Sequence, residues 1–233
     1  MGENGEEVMA ITLKKTGSVS LESVKACVYG QAGAGKTKLI ETLPDPLIIS
    51  SEAGLLSIQD ADIPYIAVKS MEDMKEAYQF IMSSDEAKQF QSISLDSISE
   101  IGEVVLNQEL KNAKDPRQAY GVMQQEVSDL IRAFRDIPNM HVYFSAKMEK
   151  QQDEMGRILY QPSMPGNKMG QSLPYFFDLL LALRMEKDAE GVTQRALMCD
   201  SDGLWQAKDR SGKLDMWEAP DLGAIISKIK GES

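Results

Sequence analysis

The clearest chemistry in this chain lies in the run Gly30, Gln31, Ala32, Gly33, Ala34, Gly35, Lys36 and Thr37, with Lys38 directly after it. The run fits the pattern Gly, four residues, Gly-Lys-Ser/Thr, whose purpose is to grip a polyphosphate. Glycines permit backbone angles closed to other residues, so successive N–H groups can turn inward on phosphate oxygens. The Lys36 ammonium would reach the β- and γ-phosphates, and the Thr37 hydroxyl would ligate magnesium. A nucleotide is the ligand this arrangement expects.

Three further polar residues end apolar runs. Residues 46–50 read as a short strand, followed at once by Ser51 and Glu52. A carboxylate there falls at the carboxyl edge of a sheet, where open α/β folds bind their ligands. Glu52 is therefore a candidate to orient or deprotonate an attacking water, with the capping of a following turn as the plainer alternative. Residues 91–97 contain a strand ending on Asp96, which suits the second group on the magnesium side. Residues 141–145 form a strand whose polar end, Ser145, reaches the same edge and could sense a γ-phosphate.

These groups need elements to position them. Residues 24–29 read as a buried strand before the loop, and 36–43 as a helix stopped by Pro44. That helix would point its positive dipole end at the bound anion. Residues 64–68 suggest another strand. Ser70 with Asp73 resembles a capping pair for a helix carrying Met71, Met74, Tyr78 and Ile81 on one face. Helices follow over 98–112 and 122–136, joined by a polar connector, 114–121, that holds Arg117 and Tyr120. The connector is either an ordinary link or a surface for single-stranded nucleic acid.

A long polar loop spans 147–174 and contains Arg157, Tyr160 and Lys168; loops of this length usually serve function. Residues 178–185, 193–199 and 204–207 read as an antiparallel meander, followed by Lys208, Asp209 and Arg210. Pro220 opens a closing helix with Leu222, Ile225, Ile226 and Ile229 on one side. A leading strand is expected over 11–15. The domain reading is a flexible tail over 1–23 and one α/β domain over 24–233, the latter with enough apolar residues for a single good core.

Composition narrows the partners. The 233 residues carry 36 acidic and 25 basic side chains, a net charge of −11. Such a field does not draw in a nucleic-acid backbone, so any such contact must come from local basic loops. No apolar run approaches a membrane span, and the acidic start of the chain is unlike a signal peptide. Cys27 and Cys199 read as buried free thiols in a reducing compartment, and His141, without Cys or His partners, as structural.

The run Ile48-Ile49-Ser50-Ser51-Glu52-Ala53 resembles the segment in which RecA-like recombinases carry their catalytic glutamate. The order of phosphate loop, glutamate, strand-end aspartate, polar strand end and added antiparallel strands is similar too. More closely, the chain resembles small RecA-like proteins encoded by bacteriophages, some of which act in single-strand annealing and recombination. Segments similar to Tyr120-Gly121, Arg132-Ala133-Phe134-Arg135 and Ala207-Lys208-Asp209-Arg210 recur there.

The resemblance implies a RecA-like phosphate-loop NTPase with a mainly parallel sheet, flanking helices and an antiparallel C-terminal addition. It implies ATP and Mg2+ as ligands, and hydrolysis involving Lys36, Glu52 and Ser145, with Thr37 and Asp96 on the metal side. Segments 111–121 and 151–172 correspond to the family's two DNA-binding loops, which makes Arg117, Tyr120, Arg157, Tyr160 and Lys168 candidate contacts to single-stranded DNA. Lys208 and Arg210 lie where a cation could reach ATP bound by the next subunit of a ring or filament. A cytoplasmic location follows, that of the bacterial host if the chain is phage-encoded. The alternative is an ATP-dependent remodelling or assembly factor with a protein partner and no DNA role. A GTPase is disfavoured because Asn167-Lys168 is followed by Gly170 where the base-reading motif needs an aspartate.

Overall fold

A computed structural model describes residues 23–51, 54–152 and 155–232. The expected leading strand over 11–15, and Glu52, lie outside the described residues.

Strand β1 (Lys25–Gly30) is buried almost throughout and delivers the chain to the phosphate loop. It pairs in parallel with β5 (His141–Gln152) on one side and β7 (Leu179–Lys187) on the other. Beyond β5 follow β4 (Ser92–Asp96), β2 (Pro46–Ser50) and β3 (Tyr65–Ala67), all parallel. On the other flank β8 (Thr193–Met198) pairs antiparallel with β7. Two short strands, β9 (Lys208–Asp209) and β10 (Trp217–Glu218), add antiparallel to β7 and β8. The sheet order is β10-β8-β7-β1-β5-β4-β2-β3, so β5 separates the strand of the phosphate loop from the strand ending on Asp96.

Alternation along the central strands divides the core between two faces. Cys27 and Tyr29 join Ile49, Leu95 and Phe144 under α1 (Met71–Ser83), α2 (Ile98–Asn112) and α3 (Pro116–Arg135). Val24, Ala26 and Val28 join Ile48, Tyr143 and Leu181 on the other face, under α5 (Leu222–Lys230). The expected capping pair begins α1: Ser70 Oγ accepts from Asp73 N, and Asp73 accepts from Lys69 N. In α5, Asp221 caps the first turn, and the expected residues Leu222, Ile225, Ile226 and Ile229 are buried.

Four sequence expectations give way. The helix after the phosphate loop is a six-residue 3-10 turn, Thr37–Thr42. Asp45, at φ 38°, turns the chain straight into β2, and too few peptide units align for a strong dipole. The connector 114–121 is mostly helical: Asp115 caps α3 by accepting from Arg117 N, and Pro116 supplies its first turn. Only residues 113–115 link α2 to α3. The long loop 147–174 is also structured: β5 runs on to Gln152 and pairs antiparallel with β6 (Ile158–Pro162), and α4 (Asn167–Ser172) follows. Its β5 half is polar over residues 149–152, with Glu149 accepting from Gln151 and Gln161, so no apolar alternation marked it. Finally, 204–207 is not a strand; Trp205 makes only an isolated bridge to Tyr160.

Candidate functional site

The phosphate loop rises from the carboxyl end of β1 and lies tight against β7. A Cβ on Gly30 would stand 2.8 Å from the Leu183 carbonyl oxygen, which only glycine tolerates. Gly33 and Gly35 hold φ of 75° and 104°, the left-handed region that lets loop N–H groups turn inward. The Lys36 ammonium donates to the Gly30 and Gln31 carbonyls at 2.9 and 3.0 Å. Tyr143, a buried residue of β5, donates its hydroxyl to the Lys36 carbonyl at 2.8 Å and ties the loop to the sheet. Burial pushes the Tyr143 phenol well above its ordinary pKa, so it remains a donor.

Asp96 ends β4 with 7% of its surface exposed. One carboxylate oxygen accepts from the Thr37 hydroxyl at 2.7 Å, and the other accepts from the Ser145 hydroxyl. The structure thus brings Lys36, Thr37, Asp96 and Ser145 together from three segments. Ser145 is fully buried against Asp96, an orientation that fixes the carboxylate. Ser50 pairs in register with Asp96, and Ser51 N donates to the Asp96 carbonyl at 3.3 Å, so the chain reaches this edge one residue before Glu52.

A cavity of about 640 Å³ opens over these groups, lined by the loop, Asp96, Ser97, Ser57 and Lys147. Lys147 closes one side and donates to Glu100 and Glu103 at 2.6 and 3.0 Å. Burial works against its charge, but the two carboxylates prevail and its pKa is raised. A hydroxyl and a mostly buried carboxylate are hard oxygen donors of the kind magnesium takes. Magnesium keeps several waters and leans on substrate phosphates, so few protein ligands are needed. No group of three or more His, Cys, Asp or Glu side chains stands ready for a metal among the described residues. The donors present fit Mg2+ held jointly with a nucleotide.

The other expected site residues lie apart. Lys208 pairs with Leu180 at the amino end of β7, and Gly30 stands three residues beyond that level, roughly 10 Å along the strand direction. Asp209 turns away to accept from Ser211, Lys213 and Leu214, while Arg210 meets Asp178 at 3.4 Å. Burial depresses the Lys208 pKa, and the Arg210 charge adds to the effect. Arg117 and Tyr120 are exposed on the first turns of α3, Arg157 is exposed just before β6, and Lys168 falls in α4. Tyr160 is not a free stacking platform: its ring lies on Trp205 at 4.3 Å, Trp205 stacks on Tyr29, and Arg184 covers Trp205.

His141 is structural, accepting from Val24 N through Nδ1 at 3.0 Å. Cys27 and Cys199 are free and buried. Sequence reasoning missed Tyr143 and Arg195, whose Nε donates to the Ala34 carbonyl at 2.9 Å. Tyr143 had a faint signal, a hydroxyl two residues before Ser145 on the same strand face. Arg195 had none, because the contact spans 161 residues. Among the described residues, no helix is long and apolar enough to cross a membrane.

Phosphate loop, strand-end aspartate and strand order together define a RecA-like phosphate-loop NTPase fold. The AAA domain family matches residues 22–211, and the chain belongs to that family, one of ATP-binding phosphate-loop ATPases. No curated protein matches the sequence. Among solved structures, the chain is similar to the ATPase of the type III secretion system of pathogenic bacteria. That likeness has 12% identity and a TM-score of 0.48, and covers 70% of this chain and 54% of the other, so the chain spans about half that ATPase's length. A KaiC-like protein from the archaeon Pyrococcus horikoshii gives 10% identity, a TM-score of 0.43, and coverage of 75% and 78%.

Proposed function

We propose that the chain hydrolyses ATP, and does so as an assembly whose subunits complete one another's sites. The observation that carries this is the Thr37–Asp96 contact at 2.7 Å beside the Lys36 ammonium, which joins a metal-side pair to a phosphate cradle. Bound ATP would exchange the loop's internal bonds for phosphate oxygens: Lys36 would leave the Gly30 and Gln31 carbonyls for the β- and γ-phosphates. Thr37 and Asp96 would hold Mg2+, which supplies charge neutralisation as the γ-phosphate departs. Ser145 is a positioning residue in this scheme, holding Asp96 in place. Glu52, which follows Ser51 in the sequence, is the proposed group that aims and deprotonates water.

Lys208 and Arg210 sit too far from their own loop to serve it, which supports a role on a neighbour's ATP. A cation arriving across a head-to-tail contact makes hydrolysis depend on assembly.

For the partner we propose single-stranded DNA, approached through exposed Arg117, Tyr120 and Arg157. The phage recombination or annealing role depends on this part. A second reading, remodelling of a protein partner without DNA, has support from the net charge of −11 and from the pairing of Arg132, Arg135 and Arg210 with aspartates. ATPase rates with and without single-stranded DNA separate the two. Stimulation, with retention of DNA that weakens as salt rises, supports the DNA reading. No stimulation and no retention at low salt leaves the protein reading. A Glu52→Gln variant should bind ATP as the parent does and hydrolyse it far more slowly; an unchanged rate would remove its proposed role.

A further inference from the structure

Arg195 comes to the phosphate loop from β8 and is unused in the scheme above. Its Nε donates to the Ala34 carbonyl, and a Cβ on Gly35 would stand 3.6 Å from that nitrogen. The side chain is exposed, and no carboxylate lies within ion-pair reach of it among the described residues. Arg132, Arg135, Arg184 and Arg210, by contrast, each face an acid. One of five guanidinium donors is engaged, which leaves a planar cation open to a ligand.

The sheet order says which part of a ligand it would meet. Asp96 ends β4, two strands from β1 on one side, and Arg195 lies on β8, two strands away on the other. Four interstrand steps of about 4.8 Å put these flanks roughly 19 Å apart. Thr37 and Asp96 fix the metal and γ-phosphate end. The remainder of a nucleoside triphosphate therefore runs the other way, past Lys38 toward Arg195. There Met185, half-buried, stands opposite Arg195 in the β7–β8 ladder, beside the core around Leu183 and Leu197. A flat cation beside a half-buried methionine suits a heteroaromatic ring, through stacking on the guanidinium and dispersion against the thioether.

We infer that Arg195 contacts the nucleobase of the bound nucleotide and gives the site its preference for a nucleoside triphosphate over a bare polyphosphate. The inference depends on the nucleotide reading of the phosphate loop. The test is calorimetric titration of the full-length parent, R195A and R195K with MgATP and with magnesium tripolyphosphate, alongside thermal melts. A desolvated cation–π contact predicts about a tenfold weaker grip on ATP in R195A, with tripolyphosphate changed less than about twofold. R195K, which keeps charge and a donor but loses the plane, should also lose most of the preference for ATP. Equal weakening of both ligands in folded R195A, or no weakening of ATP, overturns the role of Arg195 alone. Failure of the parent to bind either ligand overturns the nucleotide reading and this inference with it.

Discussion

The two edges of this sheet hold their charges differently. At the carboxyl edge, Lys36 is bonded to carbonyls of its own loop, and both Asp96 oxygens accept from hydroxyls. At the amino edge, Arg210 meets Asp178, Arg135 forms a two-point pair with Asp136, and Lys25 donates to the Ile137 and Met140 carbonyls. Burial lowers the Lys25 pKa to about 8 even so, against the pull of Asp178 and Asp136. Ion pairs with fixed partners resist exchange. Arg210 must therefore give up the Asp178 pair before it can serve a neighbour.

That contrast yields its sharpest prediction at Arg210. Arg210→Ala should cut hydrolysis by about a thousandfold, the scale of a missing arginine finger, while nucleotide affinity measured by calorimetry stays at the parent value. Loss of affinity, or an unchanged rate, would place Arg210 in the amino edge's own framework instead. Gly30→Ala tests the tight seat of the carboxyl edge. Its Cβ would collide with the Leu183 backbone, so denaturant unfolding should report a loss of about 2–3 kcal/mol.

Acid should strike the amino edge first. Burial, with the Lys230 and Lys25 charges, lowers the His141 pKa from 6.5 to about 4, opposed by Glu232. The folded chain therefore holds this site neutral where the unfolded chain protonates it. Its contribution is complete above the unfolded value and is lost as pH falls from about 6.5 to about 4, at a cost on the order of 2 kcal/mol. Melting temperature across that window checks this, and His141→Gln should flatten the profile. Ser145→Ala should have the smallest effect, about 1 kcal/mol of stability, because Asp96 keeps Thr37 as a donor. A much larger drop in ATPase rate than in stability would show that the orientation of Asp96 matters more than its solvation.

The sequence made the carboxyl edge legible because short-range rules govern it. Each signal is local, a loop of fixed spacing or an apolar run ending on a polar residue, and Lys36, Thr37, Asp96 and Ser145 do converge. The α2–α3 connector reads as a loop because Asp115 and Pro116 are turn residues, yet they serve as the cap and first turn of α3. The β5–β6 hairpin was hidden because its β5 half, residues 149–152, carries no apolar side chain. The short turn after Thr37 looked like a longer helix because Leu39 and Ile40 are buried at a spacing that suits either. Arg195 was beyond reach, since only the closing of β8 on β7 brings it to Ala34.

The grip of Lys36 and its loop on the phosphates of ATP is open to direct measurement. Calorimetric titration of MgATP into the parent and into Lys36→Ala tests it most directly. Saturable binding by the parent is expected, with at least about a hundredfold weaker binding by the variant, the scale of a lost charge-assisted contact. Equal affinities in two folded proteins would contradict it.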